Sequence, residues 1–335
     1  MDDQREDSPL ESSLRALLDR RRANSTLRTL TVNPQQIDFS SNDFLSLSKS
    51  HHLRSEFLKE LSTSSLPLGS GGSRLLDGNS TYAEDLENEI ARFHGAEAGL
   101  LFNSGFDANA GFFACVPQPG DVIVYDELIH ASVHDGMRLS RASKHVPFAH
   151  NCVDSLRSVL KVCLQQSASL RNGKSHVIVA VEAVYSMDGD LAPLRAIVET
   201  LEEELPPGRG YVVVDEAHST GVIGPDGRGL VCELGLEKRV FARLHTFGKA
   251  LACNGGECSV SSQFLDVYLS FGPHSDHTWV PGSQALPDQL CETPDIYDVH
   301  VLPFPSYDSC IVRTFPKGPH RTGMGSIQPP LPHCV

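Results

Sequence analysis

The sequence predicts an α/β fold, a mostly parallel sheet with helices over both faces. Three features carry that expectation. Short apolar runs lie at 99–102, 122–125, 145–148, 177–181 and 211–214. Segments of helical period separate them, including 155–164 and 193–205, the latter with Pro193 in its first turn and acidic residues along it. The runs at 177–181 and 211–214 are apolar at every position, as in strands covered on both faces, instead of alternating like half-exposed ones.

Ahead of this alternation, Leu10, Leu14, Leu17 and Leu18 recur at helical spacing before Arg20, Arg21, Arg22 and Arg28, which predicts an amphipathic N-terminal helix clasped onto the body. The runs Phe39-Ser40-Ser41-Asn42-Asp43-Phe44-Leu45 and Gly69-Ser70-Gly71-Gly72-Ser73-Arg74 are turn-rich, and the glycines of the second suit a loop of close backbone approach. More than half of the 21 prolines lie beyond Phe271, where no helical or strand period persists. The expected organisation is a helix and arm over 1–45, a large α/β domain over 46–270, and an irregular proline-rich tail over 271–335.

Composition narrows the function classes. A formal net charge of −14, spread along the chain, leaves no electrostatic footprint for nucleic acid or an anionic membrane. No run approaches the roughly 18 consecutive apolar residues of a spanning helix. Nine cysteines without C-x-x-C spacing, and the charged opening Met1-Asp2-Asp3-Gln4-Arg5-Glu6, point to a reducing, cytoplasmic setting, with a peroxisomal one as the alternative.

Chemistry concentrates where strands end. The run at 212–214 leads into Asp215-Glu216-Ala217-His218-Ser219-Thr220-Gly221, and ligands of open α/β sheets bind outside the carboxyl ends of strands. Taken alone, Asp215 could equally cap a helix. The stretch 240–244 runs into His245-Thr246-Phe247-Gly248-Lys249-Ala250; an isolated lysine there is most often a solvated charge. Together the two residues suit pyridoxal 5'-phosphate, whose aldehyde needs a desolvated amine and whose ring nitrogen needs a carboxylate to stay protonated. A phosphate cradle is available where Asn103-Ser104-Gly105-Phe106 follows a strand and opens a helix. His130, in Leu128-Ile129-His130-Ala131-Ser132, has a ring that could stack on such a cofactor.

These strings, with Ser186-Met187-Asp188-Gly189-Asp190, resemble in order and spacing the motifs of the α-oxoamine synthases, over roughly residues 10–268. The resemblance implies a fold-type I pyridoxal-phosphate transferase, acting as a homodimer, that condenses an amino acid with an acyl-CoA and releases carbon dioxide. The likeness is strongest to the branch that uses alanine in biotin synthesis; members using glycine or serine are the alternatives. By motif, Lys249 would join the cofactor aldehyde, Asp215 would face the pyridine nitrogen, and His218 and Ser186 would contact the phenolic oxygen. His130 would stack on the ring, Ser104, Gly105 and Phe106 would line the phosphate with Thr246 bonded to it, and Arg28 would contact substrate. The family's C-terminal domain has no counterpart in the tail, so Arg313 receives no role, and a relative that binds cofactor or dimerises without turnover is a rival reading. Gly255-Gly256-Glu257-Cys258 also departs from the small, apolar strand expected there, since a core glutamate is costly unless paired.

Other chemistries fit less well. Asp215-Glu216-Ala217-His218 resembles a Walker B string, but Gly173-Lys174-Ser175 lacks the earlier glycine of a P-loop and is followed by a strand pattern where a helix is required. No G-x-S-x-G pentapeptide marks a serine hydrolase. His130 and His134 could form only half of a zinc site, so no metal is expected.

Overall fold

The computed structural model describes residues 8–30, 37–63 and 69–261, and these divide into two units, the first ending at Ser41 and the second beginning at Asn42. The tail expected over 271–335, with Arg313, lies outside the described residues. In the first unit, helix α1 (Pro9–Ala23) begins with Pro9 at its first turn. Ser8 and Glu11 close a reciprocal capping box, the Ser8 N–H donating to Glu11 Oε2 at 2.7 Å and the Glu11 N–H to Ser8 Oγ at 3.3 Å. Arg20, Arg21 and Arg22 occupy its last turn, where the helix dipole favours positive charge. No residue of α1 is buried.

The second unit opens with α2 (His51–Thr63) and α3 (Thr81–His94) and then alternates strand and helix. Its elements are β1 (Ala98–Phe102), α4 (Gly105–Cys115), β2 (Val122–Asp126), α5 (Ala131–Leu139), β3 (Lys144–Phe148), α6 (Val153–Gln166), α7 (Ala168–Arg171), β4 (Val177–Glu182), α8 (Leu194–Glu204), β5 (Gly210–Asp215), α9 (Leu230–Glu233), β6 (Ala242–Thr246) and β7 (Gly256–Val260). The strands form one sheet in the order β1-β7-β6-β5-β4-β2-β3, parallel except for β7, which runs antiparallel to both neighbours. Each expected strand is present, and β4 starts at Val177, with only His176 and no helix between it and Gly173-Lys174-Ser175, as the rejection of a P-loop requires. Pro193 sits one position earlier than expected, as the cap residue of α8. Pro147 falls on β3, an edge strand, where a missing N–H costs the ladder least.

The apolar character of the central strands is used on both faces, with side chains dividing at period two. Val177, Val179, Val212 and Val214 pack with Leu156 and Leu160 of α6 and Ile197, Val198 and Leu201 of α8. Ile178, Ala180 and Val213 pack with Phe112 and Phe113 of α4 and Val133 and Met137 of α5. Glu257 proves to be a strand residue in the core, fully buried on β7. Ser259 Oγ lies 3.1 and 2.9 Å from its two carboxylate oxygens, and burial raises its carboxyl well above the usual range, so it is carried in the neutral form. Gly99 on β1 makes the room, since a Cβ there would lie 2.2 Å from Glu257 Oε1.

α4 and α5 approach closely because α5 carries Gly136 at the crossing. A Cβ there would stand 2.8 Å from both Ala110 O and Phe113 Cβ. Gly136→Ala gains about 1 kcal/mol of helix propensity but overpacks a backbone carbonyl that cannot swing away, an effect of roughly 1–3 kcal/mol. Overpacking wins: we expect a net loss of about 1–2 kcal/mol in denaturant unfolding, and unchanged or higher stability would contradict this packing.

Candidate active site

The sheet delivers its chemistry at the carboxyl ends of β4, β5 and β6. In register, Glu182 stands beside Asp215, and Asp215 beside Leu244, so two carboxylates end adjacent strands. Asp215 is buried; its Oδ2 accepts from Asn109 Nδ2 at 2.7 Å and its Oδ1 from the Ala217 N–H at 2.9 Å. Thr246 ends β6, and Lys249 follows three residues later, half-buried. These groups surround a cavity of about 320 Å³, solvent at its mouth included, lined by Gly105, Phe106, Asn109, His130, Glu182, Asp215, Ala217, His218, Thr246 and Lys249.

The N-terminus of α4 also lines this cavity. Ser104 caps it, its Oγ accepting the Asp107 N–H at 3.1 Å and lying 2.8 Å from Asp107 Oδ2. First-turn N–H groups of a helix have no partner within it, which makes this end a natural seat for an anion. Gly105 lets the helix start lie against Thr246, since a Cβ at 105 would come within 2.9 Å of Thr246 Cβ. His130 caps α5: its Nδ1 accepts the Ser132 N–H at 3.2 Å, so in the neutral ring the proton sits on Nε2. Phe106 meets the His130 ring edge-on, 6.0 Å between centroids, and Phe44 lies 6.0 Å from the ring of His218.

Burial sets the charges in the cavity. It lowers the pKa of Lys249, against the opposing pull of Asp215 and Glu182. Burial and then the neighbouring charge of Asp215 push Glu182 up to about 8. His218 is pushed down to about 4, first by burial and then by Lys249, and is therefore neutral near pH 7.

A family model for aminotransferase class I and II matches residues 34–290. The chain belongs to that family. Within the aminotransferase class I and II family it is 58% identical over 270 residues to the 8-amino-7-oxononanoate synthase of Emericella nidulans, covering 79% of this chain and 66% of that protein. It is 44% identical over 274 residues to the aminoacyl transferase sphA of Byssochlamys spectabilis, covering 80% and 58%. The chain thus spans less than two thirds of the length of both curated relatives. Among solved structures, SPT with PLP superposes with a TM-score of 0.65 at 25% identity, over 79% of this chain and 67% of that one.

Of the residues singled out in the sequence, Lys249, Asp215, His218, His130, Thr246, Gly105 and Phe106 meet around the one cavity. Ser104 acts behind it, as the cap of α4. Ser186 is exposed on a turn and is not among the lining residues. Arg28 is exposed in the N-terminal unit. Among the described residues no group of three or more histidines, cysteines or acids could hold a metal, and no helix is long and apolar enough to cross a membrane. Sequence reasoning missed Glu182, Asn109 and Ala217. For Glu182 a signal existed: like Asp215, it is a carboxylate closing an apolar strand.

The donor set fits an aldehyde cofactor bearing a ring nitrogen and a phosphate. Lys249 offers an amine, the α4 start an anion seat, and Asp215 a carboxylate oriented by two donors. The Oδ1 atom of Asn109 is buried with no protein partner, leaving an acceptor beside that carboxylate.

Glu182 keeps its proton in the folded chain up to about pH 8, against 4.5 ordinarily. Between those values the folded state binds more protons than the unfolded state, so stability falls as pH rises through the window. In Glu182→Gln we expect that slope to shrink, the wild type losing a few kcal/mol more than the variant between about pH 5 and pH 8. Urea unfolding at the two pH values measures it, and identical slopes would contradict a neutral Glu182.

Proposed function

We propose that this chain is a pyridoxal-phosphate-dependent C-acyltransferase that condenses an amino acid with an acyl-CoA thioester and releases carbon dioxide. The observation that carries the reading is the convergence of Lys249 and Asp215, thirty-four positions apart in sequence, on one cavity with a helix N-terminus at its wall. When bound, the cofactor supplies an aldehyde for amine exchange and a cationic ring that draws off the electron pair left at the amino acid's Cα.

The protein's part follows from the geometry. Asp215, held by Asn109 and the Ala217 N–H, would keep a proton on the ring nitrogen. The α4 start with Gly105 and Phe106, backed by Ser104 and joined by the Thr246 hydroxyl, would seat the phosphate. Neutral His218 offers one N–H and one acceptor, which suits a bond to a phenolic oxygen, and His130 would lie against the ring. The desolvated Lys249 amine would take the α-proton. The new carbon–carbon bond then forms at the thioester carbonyl, and CoA leaves as its thiolate, protonated from solvent. The amino acid's carboxylate departs as carbon dioxide, its electron pair being reprotonated at the same carbon by Lys249.

Likeness to the Emericella nidulans protein favours alanine as the amino acid, since an amine-bearing carbon with a single methyl is what alanine leaves once its carboxylate is lost. The same likeness favours a pimeloyl thioester, a place in biotin synthesis and a homodimer, with Arg28 and Ser186 as further substrate and cofactor contacts.

The full chain mixed with pyridoxal phosphate should develop a visible band that borohydride abolishes, and should release free thiol from pimeloyl-CoA only when alanine is present. Lys249→Ala should lose the borohydride-sensitive band, and Asp215→Ala should slow thiol release by roughly 10²–10³-fold. Absence of the band in the wild type would overturn cofactor binding. A band without thiol release from any acyl-CoA and amino acid pair would overturn turnover.

A further inference from the structure

A second cluster of titratable groups lies at the carboxyl edge of the sheet, outside the cavity lining. The ring of His150 stands between two carboxylates: Nδ1 is 2.8 Å from Asp126 Oδ1 and Nε2 is 2.7 Å from Asp190 Oδ2. Asp126 closes β2, is fully buried, and also accepts the N–H groups of Leu128 at 2.9 Å and Asn151 at 2.8 Å. Asp190 also accepts from Asn151 Nδ2 at 2.6 Å. A ring that meets a carboxylate through each nitrogen, as this one does, can donate to both only as an imidazolium; Asn151 Nδ2 also lies 3.3 Å from Nε2.

Asp190 belongs to a hairpin. Val184 pairs with Leu191, the Tyr185 N–H donates to Asp190 O at 3.0 Å, and the Gly189 N–H donates to Tyr185 O at 2.8 Å. The tip at 186–188 is exposed. Among the described residues, hydrogen bonds tie 186–191 to His150 and Asn151 as well as to Tyr185 at the base of the hairpin. The Tyr185 ring also meets the His150 ring edge-on at 4.5 Å. Immediately upstream, Glu182 lines the cavity, and the Ala183 N–H is tied to Asp215 O at 2.8 Å.

We propose that His150 is a positioning residue: protonated, it bridges Asp126 and Asp190 and latches the 184–191 hairpin to the sheet edge, holding Ser186 and the segment beginning at Glu182 in place beside the cavity, and it releases the hairpin when it loses its proton. The link to catalysis rests on reading that cavity as an active site; the latch itself does not. The groups facing the ring are Asp126 from β2, Glu127, whose Oε1 accepts the His150 N–H at 3.0 Å, and Asp190 and Tyr185 from the hairpin, with Glu182 behind Tyr185. Burial opposes the ring's charge, the bonds to Asp126 and Asp190 outweigh it, and the proton is held above the ordinary histidine range. A raised histidine stabilises fully below its unfolded value and ceases to do so as pH climbs through its folded one.

Backbone hydrogen exchange at Tyr185 and Gly189 in the full chain, corrected for intrinsic rates, tests this between about pH 6 and pH 9. Wild-type protection should fall about tenfold across that range. His150→Gln should show the low, alkaline level throughout. Asp190→Asn, a change at the hairpin that leaves the core intact, should match it, so the test holds even if the histidine variant folds poorly. Protection that is independent of pH in the wild type, or acid-level protection retained in both variants, would overturn the latch. The borohydride-sensitive band, followed in parallel, separates the two readings: its absence counts against the proposed function, while the exchange data decide the latch on their own.

Discussion

An amine and two carboxylates brought into one desolvated crevice cannot all keep the charges they hold in water. Neighbouring strands lie about 4.8 Å apart, and two like charges at that spacing repel by roughly 3 kcal/mol at an effective dielectric of 20. Desolvation adds to that repulsion. Asn109 and the Ala217 N–H bond to the Asp215 carboxylate; Glu182, its neighbour in register, is pushed up to about 8 by burial and then by Asp215. Lys249 sits against the remaining negative charge, yet burial still makes its ammonium less favourable than on a surface. The crevice therefore sets a hydrogen-bonded carboxylate beside an acid that holds its proton to higher pH and an amine whose charge burial disfavours, a combination suited to acid–base chemistry at carbon.

The consecutive acids Asp215 and Glu216 show how the sheet separates chemistry from support. Successive side chains leave a strand on opposite faces. Asp215 enters the cavity, whereas Glu216 is fully buried elsewhere, its Oε2 and Oε1 accepting the N–H groups of Leu230 and Val231, each at 2.9 Å, at the start of α9. The pair that resembles a Walker B string is thus one ligand-facing carboxylate and one structural anchor. Glu216 ties α9 to the turn after β5, and that turn carries His218.

Much of this was legible because strand ends and helix starts leave plain marks. Five apolar runs became β1 to β5 with ends moved by a residue, and the chemistry expected at 215, 246 and 249 converged where parallel strands must deliver it. What escaped shares a different character. Asn109 is one helical turn beyond Gly105, and only the cross-sheet partner Asp215 reveals its role. Glu182 lies one residue past the apolar run 177–181, and its role shows only once β4 extends to it and sets it beside Asp215. His150 is unremarkable in sequence, since both of its partners, twenty-four residues before it and forty after, meet it only through the sheet.

The run 255–258 departs from expectation through Glu257, but its glycines are what leave room for the α4 start. β7 runs antiparallel between β1 and β6, so its first residue, Gly256, faces Phe102 and Thr246, the last residues of both neighbours. A Cβ on Gly256 would lie 2.7 Å from His245 O and 2.8 Å from the Gly105 nitrogen. A side chain here would push the α4 start away from Thr246 and dismantle the anion seat from behind. Glu257, next along, must then fit where an apolar residue would be simpler, and it does so by remaining neutral, bonding Ser259 and occupying the space that Gly99 leaves. The anion seat on one side of the sheet and the buried acid on the other are consequences of the same strand being threaded backwards between two parallel ones.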